Sequence, residues 1–94
     1  MTYREKGYKD YGLNEQDVEN VIRFCRKNTN ESNKKVFECS FKANSAIGAD
    51  LYYSLSQDVS FERLDAIKSI AYSKSDFYGY RRYCVFLLYK EMYT

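Results

Sequence analysis

The side chains of this 94-residue sequence that could do chemistry are three cysteines, 15 Lys and Arg, 13 Asp and Glu, and 11 tyrosines. There is no histidine. The commonest general base and the commonest metal ligand are therefore both missing, and no Ser-His-Asp or Cys-His set can be assembled. Cys25, Cys39 and Cys84 are odd in number, and their spacing matches no zinc-ligand pattern. Each lies in an apolar or amphipathic run, which predicts free, buried thiols in a reducing compartment. The four glycines, Gly7, Gly12, Gly48 and Gly79, are too far apart for a phosphate-cradling loop. The carboxylates sit in no motif that would raise a pKa. The expectation is a protein that is not an enzyme and holds neither cofactor nor metal.

Tyrosine is then the residue type to explain. Tyr3, Tyr8 and Tyr11 crowd the N-terminus, and Tyr78, Tyr80, Tyr83, Tyr89 and Tyr93 crowd the C-terminal segment. Tyr offers large contact area at little rotamer entropy and, with Arg, is enriched at interface hot spots. Tyr78, Tyr80, Arg81, Arg82, Tyr83, Lys74 and Tyr89 are accordingly the candidate partner-binding residues. Charge is patterned although the net value is only +2. Residues 1–19 and 45–67 are net acidic, and residues 20–44 and 68–94 net basic. Arg23, Arg26, Lys27, Lys34, Lys35 and Lys42 in the second block form a secondary basic patch, suited to phosphate or to an acidic protein surface. The balance is too even for a bulk nucleic-acid binder.

These residues need helices to hold them. Pro is absent and Gly is scarce, which argues against a turn-rich β chain. Residues 1–12 read as an irregular arm. Asn14 caps a first helix, with Asp17 three residues on and Leu13–Val18 as the staple; Val18, Val21, Ile22 and Cys25 form its apolar stripe. Asn28–Asn33 reads as a polar loop, and a second helix covers about 33–43. Asn44-Ser45 breaks it and caps a third helix running to about Leu55. Ser60 caps a short fourth helix, and Ser73 caps a last one that reaches about Met92, with Asp76 at the capping-box position and Tyr72–Phe77 as the staple. That last helix is apolar nearly all round, so it is expected to be buried on most sides.

The prediction is an all-α chain, residues 1–94 forming one small domain of four to five helices around the C-terminal helix. The expected core is Val18, Val21, Ile22, Val36, Phe37, Phe41, Leu51, Leu55, Leu64, Ile67, Phe77, Cys84, Leu87 and Leu88. The stretch FERLDAIKSIAYSKSDFYGYRR has the layout of a helix-turn-helix, in which Ser73, Lys74, Ser75, Asp76 and Tyr78 would meet bases and Arg81 and Arg82 phosphates. The charged N-terminus resembles no signal peptide, and no run reaches the length of a membrane span, so a cytoplasmic, non-membrane protein is expected.

The motifs REKGYKDYG, DLYYSL and SKSDFYGYRR resemble small proteins encoded in prophages and mobile elements of Firmicutes. The Ser73–Arg82 stretch is also similar to the recognition-helix region of small phage regulators. The resemblance implies a bacterial host cell and a protein that acts by stoichiometric binding. The leading expectation is an inhibitor of a host protein or ribonucleoprotein, of the anti-CRISPR or anti-defence type, with a CRISPR effector nuclease as one such partner. The alternative is a helix-turn-helix regulator bound to duplex DNA. A homo-oligomer through the same Tyr surface is a third reading.

Overall fold

The computed structural model describes residues 2–93. Helix α1 spans Glu15–Cys25, α2 Asn30–Ala43, α3 Gly48–Gln57, α4 Phe61–Lys68 and α5 Lys74–Tyr93. A 3-10 helix, Tyr8–Tyr11, precedes them, and the described residues contain no strand. The all-α expectation holds. Among the described residues no helix is long and apolar enough to cross a membrane. Met1 and Thr94 lie outside the described residues.

Local chemistry sets the helix starts. The Asn14 side chain accepts from Asp17 N at 2.8 Å, and Asp17 Oδ2 accepts from Asn14 N at 3.0 Å, a reciprocal capping box. Ser60 Oγ and Ser73 Oγ accept from the third residue of α4 and α5 in the same way. Helix α2 begins three residues earlier than predicted. Thr29 and Ser32 form a second reciprocal box, which turns the supposed polar loop into a helical first turn. Helix α3 begins later than predicted, because Asn44 Oδ1 accepts from Ala46 N at 2.9 Å and forms a local turn. The arm is not irregular throughout either. Residues 8–11 coil into the 3-10 helix, which Gly12 ends at φ +78, a left-handed conformation suited to Gly.

The core lies between α2, α3 and α5, with α1 across them and α4 resting mainly on α5. Val21, Val36, Leu51, Leu55, Leu64, Phe77, Cys84 and Leu88 are buried as expected. Val18, Ile22 and Leu87 are half-buried at its edge, and Phe41 is half-buried against Gly48 and Phe37. Phe37 and Ile67 are not core residues: they are 50% and 62% exposed. Helix α2 turns a stripe of small residues inward, Ser32, Val36, Cys39, Ser40 and Ala43, and Phe37 projects roughly 100° beyond Val36, off that stripe. Helix α4 has only eight residues and buries Leu64, which leaves Ile67 outside. Cys25, Cys39 and Cys84 are free and buried, as expected. Burial pushes the Cys25 and Cys84 thiols up to about 12 and Cys39 to about 11.

Candidate binding site: the N-terminal arm on the last helix

Helix α5 is covered on two opposite sides. Phe77, Cys84, Val85 and Leu88 face the core, and Gly79 is buried on the far side, beneath the arm. A Cβ at Gly79 would stand 2.6 Å from the Tyr3 carbonyl oxygen and 2.9 Å from Arg4 Cα. Gly in mid-helix costs about 1 kcal/mol relative to Ala. Here it makes a notch that admits the arm backbone. The apolar, all-round character of α5 follows from this two-sided burial.

Four hydrogen bonds and a set of ring contacts fasten the arm. Arg82 Nε donates to Lys6 O at 2.7 Å, and its Nη2 to Arg4 O at 3.3 Å. Arg4 Nε donates to Asp76 Oδ1 at 3.0 Å, and Arg4 Nη2 to Ser73 Oγ at 3.3 Å. The Arg4 hydrogen bond, followed by that from Ser73, holds the Asp76 carboxyl below its usual range. The Tyr3 ring packs on Tyr80 and Tyr83 with centroids 4.8 and 4.9 Å away. Tyr11 stacks on Phe86 at 4.9 Å, and Lys6 Nζ lies 4.5 Å over the Tyr11 ring.

A cavity of about 810 Å³ opens where arm and helix meet, lined by Thr2–Lys6, Tyr11, Asp76, Tyr80 and Tyr83. Burial raises the pKa of the Tyr11 and Tyr83 phenols, and the neighbouring Tyr3 phenol adds to both. These hydroxyls stay protonated at neutral pH, and the Tyr11 hydroxyl is buried with no hydrogen-bond partner among the described residues. The surface can stack on a flat group, hydrogen-bond through phenols and offer Arg4, Lys6 and Asp76 as charged contacts.

The structure divides the predicted partner-binding residues. Tyr80, Arg82 and Tyr83 come together under the arm. Arg81 turns inward, donating to the buried Ser54 Oγ at 3.1 Å. The Tyr78 hydroxyl accepts from Phe61 N at 3.1 Å and so serves the first turn of α4. Lys74 pairs with Glu62 at 2.6 Å. Tyr89 packs on Tyr93 at 4.8 Å near the end of α5.

Four of the six residues of the secondary basic patch are engaged within the chain. Arg26 pairs with Asp58 at 2.6 Å and Lys42 with Glu91 at 3.7 Å. Arg23 bonds Asn20, and Lys27 lies over Phe24. Lys34 and Lys35 leave α2 roughly 100° apart. Sequence reasoning missed Gly79 and Arg4 as parts of the site, and gave Ser73 a capping and base-reading role but not its bond to Arg4. One signal was available: an isolated Gly inside a long helical pattern marks a close approach. Comparison with protein-family models, with curated proteins and with solved structures yields no match to this chain.

Proposed function

We propose that this is a non-catalytic binding protein that inhibits a host macromolecule by stoichiometric occupation of its surface, using the face built from the arm and α5. The observation that carries this reading is the Tyr3–Tyr80–Tyr83 ring cluster. Arg82 bonds the arm backbone and Gly79 admits it against α5, and Tyr3 at the crest of the cluster is 40% exposed. Preorganised aromatic anchors with Arg beside them are the usual make-up of an interface hot spot. The partner is a host protein or ribonucleoprotein in the bacterial cytoplasm, of the class of a guide-loaded effector nuclease. The test is direct binding to such loaded effectors, with Tyr3→Ala and Tyr80→Ala as paired variants. Binding weakened about tenfold or more by each variant is expected of hot-spot residues. Binding indifferent to both variants, or no binding to any effector tested, refutes the reading.

The exposed N-terminus of α5 favours a second reading. Ser73, Lys74 and Ser75 are exposed directly after α4 and a short connection, as a DNA-reading helix requires. Arg81 and Arg82, assigned to phosphates on sequence grounds, are bonded within the chain, and Lys74 is paired with Glu62, so the exposed Arg63 would supply the backbone contact. A regulator of this kind binds duplex DNA with affinity that falls steeply with salt. Absence of duplex binding at low salt rejects it.

A further inference from the structure

A second concave surface lies on the chain and shares no residue with the arm–α5 cavity. Between the 3-10 helix and the first turns of α1 runs an open groove of about 1360 Å³. That exceeds the 300–1,000 Å³ of a typical small-molecule site, and it suits a peptide. Its floor is apolar: Leu13 is buried, and Tyr8 and Val18 are half-buried. Its rim is acidic: Asp10, Glu15 and Glu19 stand exposed around it, against Lys9 alone.

Of the rim acids, Asp10 caps the 3-10 helix, its Oδ2 accepting from Gly7 N at 2.8 Å, whereas Glu15 and Glu19 have little to do inside the fold. The start of α1 is capped by Asn14 and Asp17, not by them. Glu15 gains from the helix dipole, but Glu19 lies beyond the first turn, where that gain has faded. The two stand four residues apart on one helix face, a like-charge spacing that weakens a helix. Neither enters an ion pair among the described residues, and the polar groups beside them bond one another, Asn20 Oδ1 accepting from Gln16 at 3.0 Å and from Arg23 at 3.4 Å. A net negative rim over an apolar floor, with Glu15 and Glu19 unpaired among the described residues, is complementary to one class of occupant.

We propose that this groove docks a cationic peptide segment of a partner protein. One apolar side chain of the segment rests on Tyr8, Leu13 and Val18, and Lys or Arg residues on either side of it meet Asp10, Glu15 and Glu19. The apolar contact supplies the affinity, and the charges set orientation and exclude acidic sequences. The surface is separate from the arm–α5 face, so the two can act on one partner together, and each can fail alone.

The test is an NMR titration of the full chain at low salt with three synthetic peptides. The first has a Leu pair flanked on both sides by Lys and Arg, the second replaces Leu by Ala, and the third replaces the cations by Glu. Saturable shifts at the Tyr8, Leu13 and Val18 amides are expected with the first peptide only. The double variant Glu15→Lys, Glu19→Lys should weaken that binding about tenfold or more. A control reversal of two exposed α2 acids, Glu31→Lys with Glu38→Lys, should leave it unchanged, as should Tyr3→Ala. All five positions are exposed, so the fold should survive, and circular dichroism checks this. Three results overturn the proposal: no binding of the cationic peptide, shifts that miss the groove floor, or equal losses in the two double variants.

Discussion

Gly79→Ala separates the docking of the arm from the stability of the helix beneath it. The added Cβ would meet the Tyr3 carbonyl oxygen at 2.6 Å and the Tyr3 carbonyl carbon at 2.7 Å, where ordinary contact starts at 3.4 Å. These are backbone atoms and cannot swing aside, so the arm must retreat by about 0.8 Å. That displacement draws the Arg82–Lys6 hydrogen bond from 2.7 Å to about 3.5 Å, outside the useful range. It also lifts the Tyr3 ring from Tyr80 and Tyr83. A charge-assisted bond on a partly exposed segment is worth about 1 kcal/mol, and the loosened ring contacts add a comparable amount. The undocked population of the arm should therefore rise roughly tenfold or more. Helix α5 meanwhile gains about 1 kcal/mol in propensity, so global stability should change little. Limited trypsinolysis followed by mass spectrometry reads the arm at Arg4 and Lys6, and urea unfolding reads the whole. Cleavage at those two sites should accelerate while the urea midpoint stays nearly constant. Arg82→Gln should accelerate the same cleavages, and the double variant should fall short of additivity, because both changes release one contact. Unchanged cleavage at Arg4 and Lys6 in a folded Gly79→Ala protein refutes the notch. A large loss of global stability refutes the separation of arm from core.

Phe37→Ser should cost about 1 kcal/mol or less, although Phe77→Ala should cost about 3–5 kcal/mol, because Phe37 is half exposed and Phe77 fully buried; urea midpoints decide. Asp50→Ala should destabilise by about 1–3 kcal/mol, since the buried Asp50 carboxylate accepts from Tyr72 Oη at 2.5 Å and Lys68 Nζ at 2.7 Å, tying α3 to α4 and the connection after it. Asp50→Asn, which keeps one acceptor, should recover part of that loss. Stability should also fall in alkali. The Cys25 and Cys84 thiols stay protonated in the fold up to about 12, while in the unfolded chain they ionise from about 9. Their contribution is intact below pH 9 and declines between 9 and 12, by about 1.4 kcal/mol per thiol per pH unit. Denaturant titrations at pH 8 and pH 10 measure it, and Cys84→Ala should flatten the slope.

The helices were legible where a cap is a local event. Asn14, Ser60 and Ser73 each hold the amide three residues ahead, a relation written in the sequence itself. Thr29 and Ser32 obey the same rule, but they stand in a run of Asn, Glu and Ser that resembles a loop in composition. Burial was legible in part where apolar spacing is regular: along α1 and α5, Val21, Cys25, Phe77, Cys84 and Leu88 are buried, while Val18, Ile22 and Leu87 stop at the edge. It failed at Phe37 and Ile67, because periodicity gives a helix an apolar face without saying how wide a strip its neighbours will cover. In α2 the covered strip is Ser32, Val36, Cys39, Ser40 and Ala43, whose small side chains let α3 and α5 come close. A large ring would have held them apart.

The candidate site shows a sharper limit. Arg81 and Arg82 are adjacent and chemically identical, yet consecutive helical residues diverge by roughly 100°. One guanidinium therefore enters the core to reach Ser54, and the other grips the arm backbone. Composition could mark the pair as anchors but could not divide their tasks. The tyrosines divide in the same way. Tyr72 and Tyr78 place their rings at the edge of the core and their hydroxyls on Asp50 and on Phe61 N, so part of the tyrosine excess is structural. Tyr80 and Tyr83 become a surface only because Gly79 lets the arm lie beside them and set Tyr3 against both rings. The proposed face is therefore a property of two chain segments more than 70 residues apart. A variant that leaves every tyrosine in place but fills the notch should weaken partner binding as surely as Tyr3→Ala does. If Gly79→Ala frees the arm and partner affinity stays at the wild-type level, the contact surface is α5 alone and the arm is only its cover.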